Sequence, residues 1–161
     1  MMNDQAVRLD RMRFTKNTTS SRLTLLAIVF DVLYFVLLYR INVEYYYNIL
    51  MGASILYNLV FMLAAFLSSE GVKNYKQGYS YVLCALGIIQ IVRIFILPVP
   101  AHNAVVTVGG AEIMAMSQGQ FVRVVIYLVA SAACLFAAAV VNLSKSRALA
   151  AHVAGLQGRK A

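Results

Sequence analysis

The stretch LLAIVFDVLYFVLLYR, Leu25 to Arg40, decides the fold: it is an apolar run with one acid, Asp31, close to its middle. A run of this length is too long for one strand of a compact sheet. In hydrocarbon every backbone N–H and C=O must be paired within the protein, and a helix does this inside a single segment. The same stretch poses a chemical question. A carboxylate at the centre of a membrane helix costs about 2.5 to 3.5 kcal/mol on insertion scales, and something must offset it.

Working outward, a helix needs about 20 residues at 1.5 Å each to cross roughly 30 Å of hydrocarbon. Four segments meet that length, near residues 23–39, 46–67, 79–97 and 120–143. The 161 residues are 61% hydrophobic and 12% charged, and soluble domains carry about 25% charged residues. The expectation is an all-α integral membrane protein, a four-transmembrane-helix bundle forming a single membrane domain over residues 1–161. It has a basic arm at 1–22 and a basic tail at 144–161. No soluble catalytic domain fits in the remainder.

Basic residues precede the first span, as in a signal peptide. Its apolar core exceeds the usual 7 to 15 residues or so, and no A-x-A site follows, so it reads as a permanent helix. The formal charge of +8 comes from fourteen Lys and Arg against six Asp and Glu. These basic residues sit beside apolar spans, which points to membrane topology and not to nucleic acid.

The arm carries Arg8, Arg11, Arg13, Lys16 and Arg22, the second loop SSEGVKNYKQG carries Lys73 and Lys76, and the tail carries Lys145, Arg147, Arg159 and Lys160. The first loop offers Arg40 against Glu44, and the third, PVPAHNAVVTVGGAEIMAMSQGQ, has no Lys or Arg. The positive-inside rule gives an N-in/C-in topology with both termini cytoplasmic. The lack of a cleavable signal favours a bacterial inner membrane. The arm and tail suit anionic lipid at the cytoplasmic face, where each Lys or Arg contributes about 1 kcal/mol. Leu149, Val153 and Leu156 fall on one helical face of the tail, a surface suited to docking a partner.

Tyr45, Tyr46 and Tyr47 at one mouth and Tyr75, Tyr79 and Tyr81 at the other fit the interfacial aromatic belt. Pro98 and Pro100 stop the third helix, since proline lacks the N–H and clashes with the preceding turn. The VVTVGG and AEIMAMS that follow fit either a short hairpin or an interfacial helix. Asn17 and Asn142 match the glycosylation pattern but fall on the cytoplasmic side, so both read as chance matches.

Catalytic and metal chemistry find little support. Cys84 and Cys134 lie far apart in apolar runs and read as buried thiols. His102 and Glu112 are too sparse for a metal site, and neither G-x-S-x-G nor H-E-x-x-H occurs. The expectation is therefore no enzyme, no cofactor and no metal.

Residues on one helix face recur at i, i+3, i+4 and i+7. On that rule Asp31 shares its face with Thr24, Ala27, Tyr34 and Leu38, while Leu26, Val29, Leu33 and Val36 form an aliphatic face suited to lipid. The second span aligns Ser54, Asn58 and Ala65, the third Gly87, Gln90 and Arg93, and the fourth Arg123, Tyr127, Ser131, Cys134 and Ala138. Small residues let helices approach and polar ones bond across them, so these stripes are expected to face inward. At matched depth the candidate intramembrane cluster is Asp31, Asn58, Gln90 and Arg93, with Arg123 and Ser131 as possible further members. The offset from Asp31 to Arg93 is about 6 Å, within reach of an arginine stem.

Two uses of Asp31 remain open. It can pair with Arg93 and fix the order of the helices, contributing specificity more than stability. Or it can be a proton or cation site, poised between desolvation, which favours the neutral acid, and a guanidinium, which favours the carboxylate. Four short spans with an acid in the first resemble the small multidrug resistance transporters, and the resemblance implies a dimer built around that acid. Their acid is a glutamate, and this chain adds basic tails and a long third loop. The first expectation is a non-catalytic accessory or assembly subunit of a larger membrane transport complex. The alternative is a small oligomeric secondary transporter or channel coupled through Asp31. Both imply partner membrane subunits or further copies of the chain.

Overall fold

The structure, a computed structural model, describes residues 4–38, 40 and 45–158. Of the first residues of the third helix only the backbone is described, so the belt expected of Tyr45, Tyr46 and Tyr47 lies outside the described residues. So do Tyr39, Glu44, Arg159 and Lys160. The chain forms α1 (Asp4–Met12), α2 (Thr18–Leu38), α3 (Tyr45–Lys73), α4 (Gly78–Ile96), α5 (Pro98–Asn103), strands β1 (Val105–Val108) and β2 (Ala111–Met114), and α6 (Gln118–Gly158). Four helical segments, lying in α2, α3, α4 with α5, and α6, are long and apolar enough to cross a membrane.

The helices are longer than hydropathy alone implies. α2 begins at Thr18, because Ser20 and Ser21 are buried against neighbouring helices and pack as helix despite their polarity. α3 continues through Ser68–Lys73, which reduces the expected second loop to residues 74–77. Its end is a Schellman turn: Lys76 N–H donates to Gly71 O at 3.3 Å and Tyr75 N–H to Val72 O at 3.1 Å. Tyr75 takes the left-handed position, φ 57°, that glycine usually fills there.

α6 runs unbroken through the expected tail, whose Ala, Leu, Lys and Arg residues are strong helix formers. It starts at a capping box, with Gln120 N–H donating to Ser117 Oγ at 3.3 Å and Ser117 N–H to Gln120 Oε1 at 3.0 Å. α4 ends at Ile96, but Pro98 then opens α5, since proline is tolerated in the first turn of a helix. Of the two forms expected after it, the chain takes the hairpin. β1 and β2 pair antiparallel with Val108 opposite Ala111, joined by Gly109 and Gly110 at φ 62° and 86°. Positive φ at both turn residues is the type I′ geometry that matches strand twist.

α6 packs along both α2 and α4, while α3 leans mainly on α2 and meets α4 only lightly. Two close approaches fix these contacts. Gly87 lies under the Phe136 ring and Gly71 under the Tyr79 ring, and a Cβ at either position would strike the ring. The buried side chains form two apolar layers. One contains Ala27, Phe61, Leu83, Leu135 and Ala138. The other contains Tyr34, Leu38, Ile94, Leu97, Met116, Val124 and Leu128.

The two ends of the bundle differ. At one, Asn17 N–H donates to Lys73 O at 2.9 Å and Asn142 Nδ2 to Lys76 O at 3.1 Å, which gathers the arm, the α3–α4 turn and the middle of α6. α1 folds back onto the far part of α6, where Leu149, Val153 and Leu156 are half-buried. The described basic residues of arm, turn and tail therefore share this end. At the other end Gln120 Nε2 donates to Arg40 O at 3.1 Å, and Met116, just after the hairpin, is buried among helix residues such as Leu38, Leu97 and Val124.

Candidate functional site

Between the two apolar layers lies a polar layer to which all four long helices contribute. Each side chain arrives there by helical spacing. Gln90 and Arg93 are three apart on α4 and so share a face, as do Ser54, Tyr57 and Asn58 on α3. Asp31 and Tyr34 do the same on α2.

Arg93 is the hub. Its Nη1 donates to Asp31 Oδ1 at 2.8 Å and to Gln90 Oε1 at 3.2 Å, and its Nη2 donates to Ser54 Oγ at 3.3 Å and to Asn58 Oδ1. Gln90 Nε2 donates to the same Asp31 oxygen at 2.9 Å and to Ser131 Oγ at 3.2 Å, and Ser131 Oγ donates to Ala27 O at 3.0 Å. The Asp31 side chain is 0% exposed and that of Arg93 6%. The guanidinium carbon sits 4.3 Å from the Tyr34 ring centroid and 4.5 Å from that of Tyr57. Desolvated cation–π contacts of this kind contribute about 2 kcal/mol or more.

Asp31, Asn58, Gln90, Arg93 and Ser131 thus come together. Arg123 does not: it is exposed on α6, and Val124, Leu128, Ser131, Leu135 and Ala138 form the buried face there. The expected stripe through Arg123, Tyr127 and Cys134 is turned partly outward, because apolar burial and not the position of the arginine sets the rotation of α6. The two tyrosine faces and the Ser54 contact are further parts of the site. Their signal was spacing: Tyr34 falls on the Asp31 face, and Tyr57 adjoins Asn58.

A second polar layer lies at the end that gathers the termini. Asn17 Nδ2 donates to Asn142 Oδ1 at 3.2 Å, Asn142 Nδ2 to Ser80 Oγ at 2.8 Å, and Lys145 Nζ to Asn17 Oδ1 at 3.2 Å. Ser20 Oγ donates to Ala138 O at 2.6 Å, and the Ser21 and Ser69 hydroxyls pair at 2.8 Å. The two asparagines that match a glycosylation pattern are therefore buried and bonded to each other.

The arrangement holds charge in place. Among the described residues no group of His, Cys, Asp and Glu could hold a metal ion. Cys84 and Cys134 are free and half-buried. Four polar atoms of the central layer, Asp31 Oδ2, Tyr34 OH, Tyr57 OH and Asn58 Nδ2, are buried with no hydrogen-bond partner among the described residues. No protein-family model, curated protein or solved structure matches the chain.

Proposed function

We propose that the chain is a non-catalytic accessory or assembly subunit of a membrane transport complex. In this reading it spans a bacterial inner membrane four times with both termini cytoplasmic, and Asp31 and Arg93 hold its helices in register. The observation that carries it is the fixed state of Arg93: both terminal nitrogens are occupied and its plane is enclosed by two rings. A residue that must release its partner in each transport cycle is poorly served by so many simultaneous contacts. The shared end of the basic arm, turn and tail supports the proposed topology, since positive charge is retained at the cytoplasmic face. Ile49, Leu56, Val60, Leu63 and Leu67 on the outer side of α3 offer an apolar face to lipid or to another membrane subunit.

The test is purification of the tagged native protein in gentle detergent. Co-purification of a defined membrane partner supports the subunit, and a lone homodimer supports a transporter.

One observation favours the transporter: Asp31 Oδ2 has no hydrogen-bond partner among the described residues, so half of the carboxylate is uncommitted there. On that reading Asp31→Asn folds and assembles but loses pH-dependent flux in proteoliposomes. On the subunit reading it assembles poorly and has no flux to lose. A variant with unchanged assembly and unchanged flux would sink both.

A further inference from the structure

Arg123 takes no part in the central cluster and lies exposed on α6. Gln120, Arg123 and Tyr127 follow one another at three and four residues, so they share one flank of that helix. Two contacts show which neighbour the flank meets. The Tyr127 ring stacks on Phe30 of α2 with centroids 6.4 Å apart, and Gln120 Nε2 donates at 3.1 Å to the carbonyl of Arg40, just beyond the end of α2. Arg123 lies between these contacts along α6, about 4.5 Å of helix rise from Gln120. Arg40 and Arg123 therefore stand on the same side of the α2–α6 seam. Both are exposed, and neither guanidinium has an ion-pair or hydrogen-bond partner among the described residues. Glu112, the described acid at this end, pairs with neither.

We propose that the hairpin end of the α2–α6 seam binds the phosphate of an anionic phospholipid of the phosphatidylglycerol class. Arg40 and Arg123 supply the positive charge. Gln120 is a positioning residue, because its bond to the Arg40 carbonyl ties the end of α2 to the first turn of α6. The inference rests on the membrane-spanning reading above but not on the existence of a partner subunit.

Three features choose this occupant. The first is charge: two exposed guanidinium groups on one seam carry donors that no described residue uses, and a phosphate accepts charge-assisted, bidentate bonds from arginine. The second is depth. Arg123 is the sixth residue of a helix long and apolar enough to cross a membrane, about 7.5 Å of rise from its start. A cation exposed there is costly unless its stem carries the head out to the interface, which is where lipid phosphate lies. The third is the apolar surface that continues deeper on the same side: Leu33 of α2 and Ile126 of α6 are exposed there, 40% and 56%. An acyl chain covers such a surface, and a soluble anion does not.

The chain has no tryptophan, so Leu33→Trp in the full-length protein places a single fluorescent reporter beside the seam. The test reconstitutes this variant in phosphatidylethanolamine vesicles with a minor fraction of either brominated phosphatidylglycerol or brominated phosphatidylethanolamine, whose bromines quench a nearby tryptophan. The expected result is stronger quenching by the phosphatidylglycerol. Arg123→Gln and Arg40→Gln, each added to the reporter, should lower that preference about fivefold, as expected for about 1 kcal/mol per arginine. Arg123→Gln serves if Arg40→Gln fails to fold. Arg147→Gln, which removes the same charge from the other end of the bundle, should leave the preference unchanged.

Equal quenching by the two lipids overturns the proposal, as does a preference that survives both seam substitutions. Relief of the quenching by inorganic phosphate at matched ionic strength would mean that the site takes a soluble anion, and it overturns the choice of a lipid. Leu63→Trp, on the α3 flank away from the seam, separates this failure from that of the membrane reading. Quenching of Leu63→Trp by both lipids alike shows an embedded protein, so that loss of preference at Leu33→Trp sinks this inference alone. An unquenched Leu63→Trp sinks the membrane reading and this inference with it.

Discussion

Asp31 on α2 and Arg93 on α4 meet at 2.8 Å, and the guanidinium that makes this contact also bridges to Ser54 and Asn58 on α3. One side chain therefore ties three helices, and Gln90 extends the tie to Ser131 on α6. Buried pairs add little net stability, since desolvation offsets their attraction, but removal of one partner strands the other and costs about 3 to 5 kcal/mol. The pair thus selects one helix arrangement by penalising those that separate its members.

The fork of Arg93 should be irreplaceable by charge alone. Arg93→Lys keeps the cation but loses the planar donors that reach Asp31, Gln90, Ser54 and Asn58 together and that stack on two rings. The variant should lose about 1 to 3 kcal/mol of stability, measured by unfolding in mixed micelles. Wild-type stability would show that only the charge matters.

The two tyrosines should act through their faces. Tyr34→Phe and Tyr57→Phe remove hydroxyls that lack partners among the described residues, so each should be neutral or slightly stabilising. Tyr57→Leu removes the ring over Arg93 and should cost about 2 kcal/mol. The same unfolding assay, run on the Phe and Leu variants side by side, separates face from hydroxyl.

The second polar layer should matter independently of the first. Asn142→Leu leaves Asn17, Ser80 and Lys76 O without their partner, at about 1 to 3 kcal/mol for the unsatisfied buried groups. It should also loosen the arm, read as faster proteolysis after Lys16. Unchanged cleavage would mean that the arm is held by other contacts.

Arg123 should be dispensable to the fold. It is exposed and outside the cluster, so Arg123→Gln should change stability by no more than about 0.5 kcal/mol. Arg93→Gln, tested beside it, should be severely destabilised.

The α2 face was legible because Thr24, Ala27, Tyr34 and Leu38 follow the helical period from Asp31 and all are buried. The rotation of α6 was not legible in the same way. Arg123 lies in an early turn of that helix, where its side chain reaches out of the bundle, so its polarity does not mark the inner face. The arginine cage was hidden for another reason. The stacking of Tyr34 and Tyr57 depends on how α2, α3 and α4 sit relative to one another, and a single helix's periodicity does not contain that. Asn17 and Asn142 are 125 positions apart, and their bond is visible only once the arm folds against α6. The hairpin was closest to a local code, since Gly109 and Gly110 directly follow the β-branched run of residues 105–108 and specify the turn.

The most direct measurement is a double-mutant cycle on Asp31 and Arg93, using Asp31→Asn, Arg93→Gln and the pair, with unfolding free energy in mixed micelles as the readout. Asp31 and Arg93 holding each other predicts two costly single variants and a double variant that recovers much of the loss, with a coupling of about 2 kcal/mol or more. Strictly additive losses, with a coupling below about 0.5 kcal/mol, would contradict it.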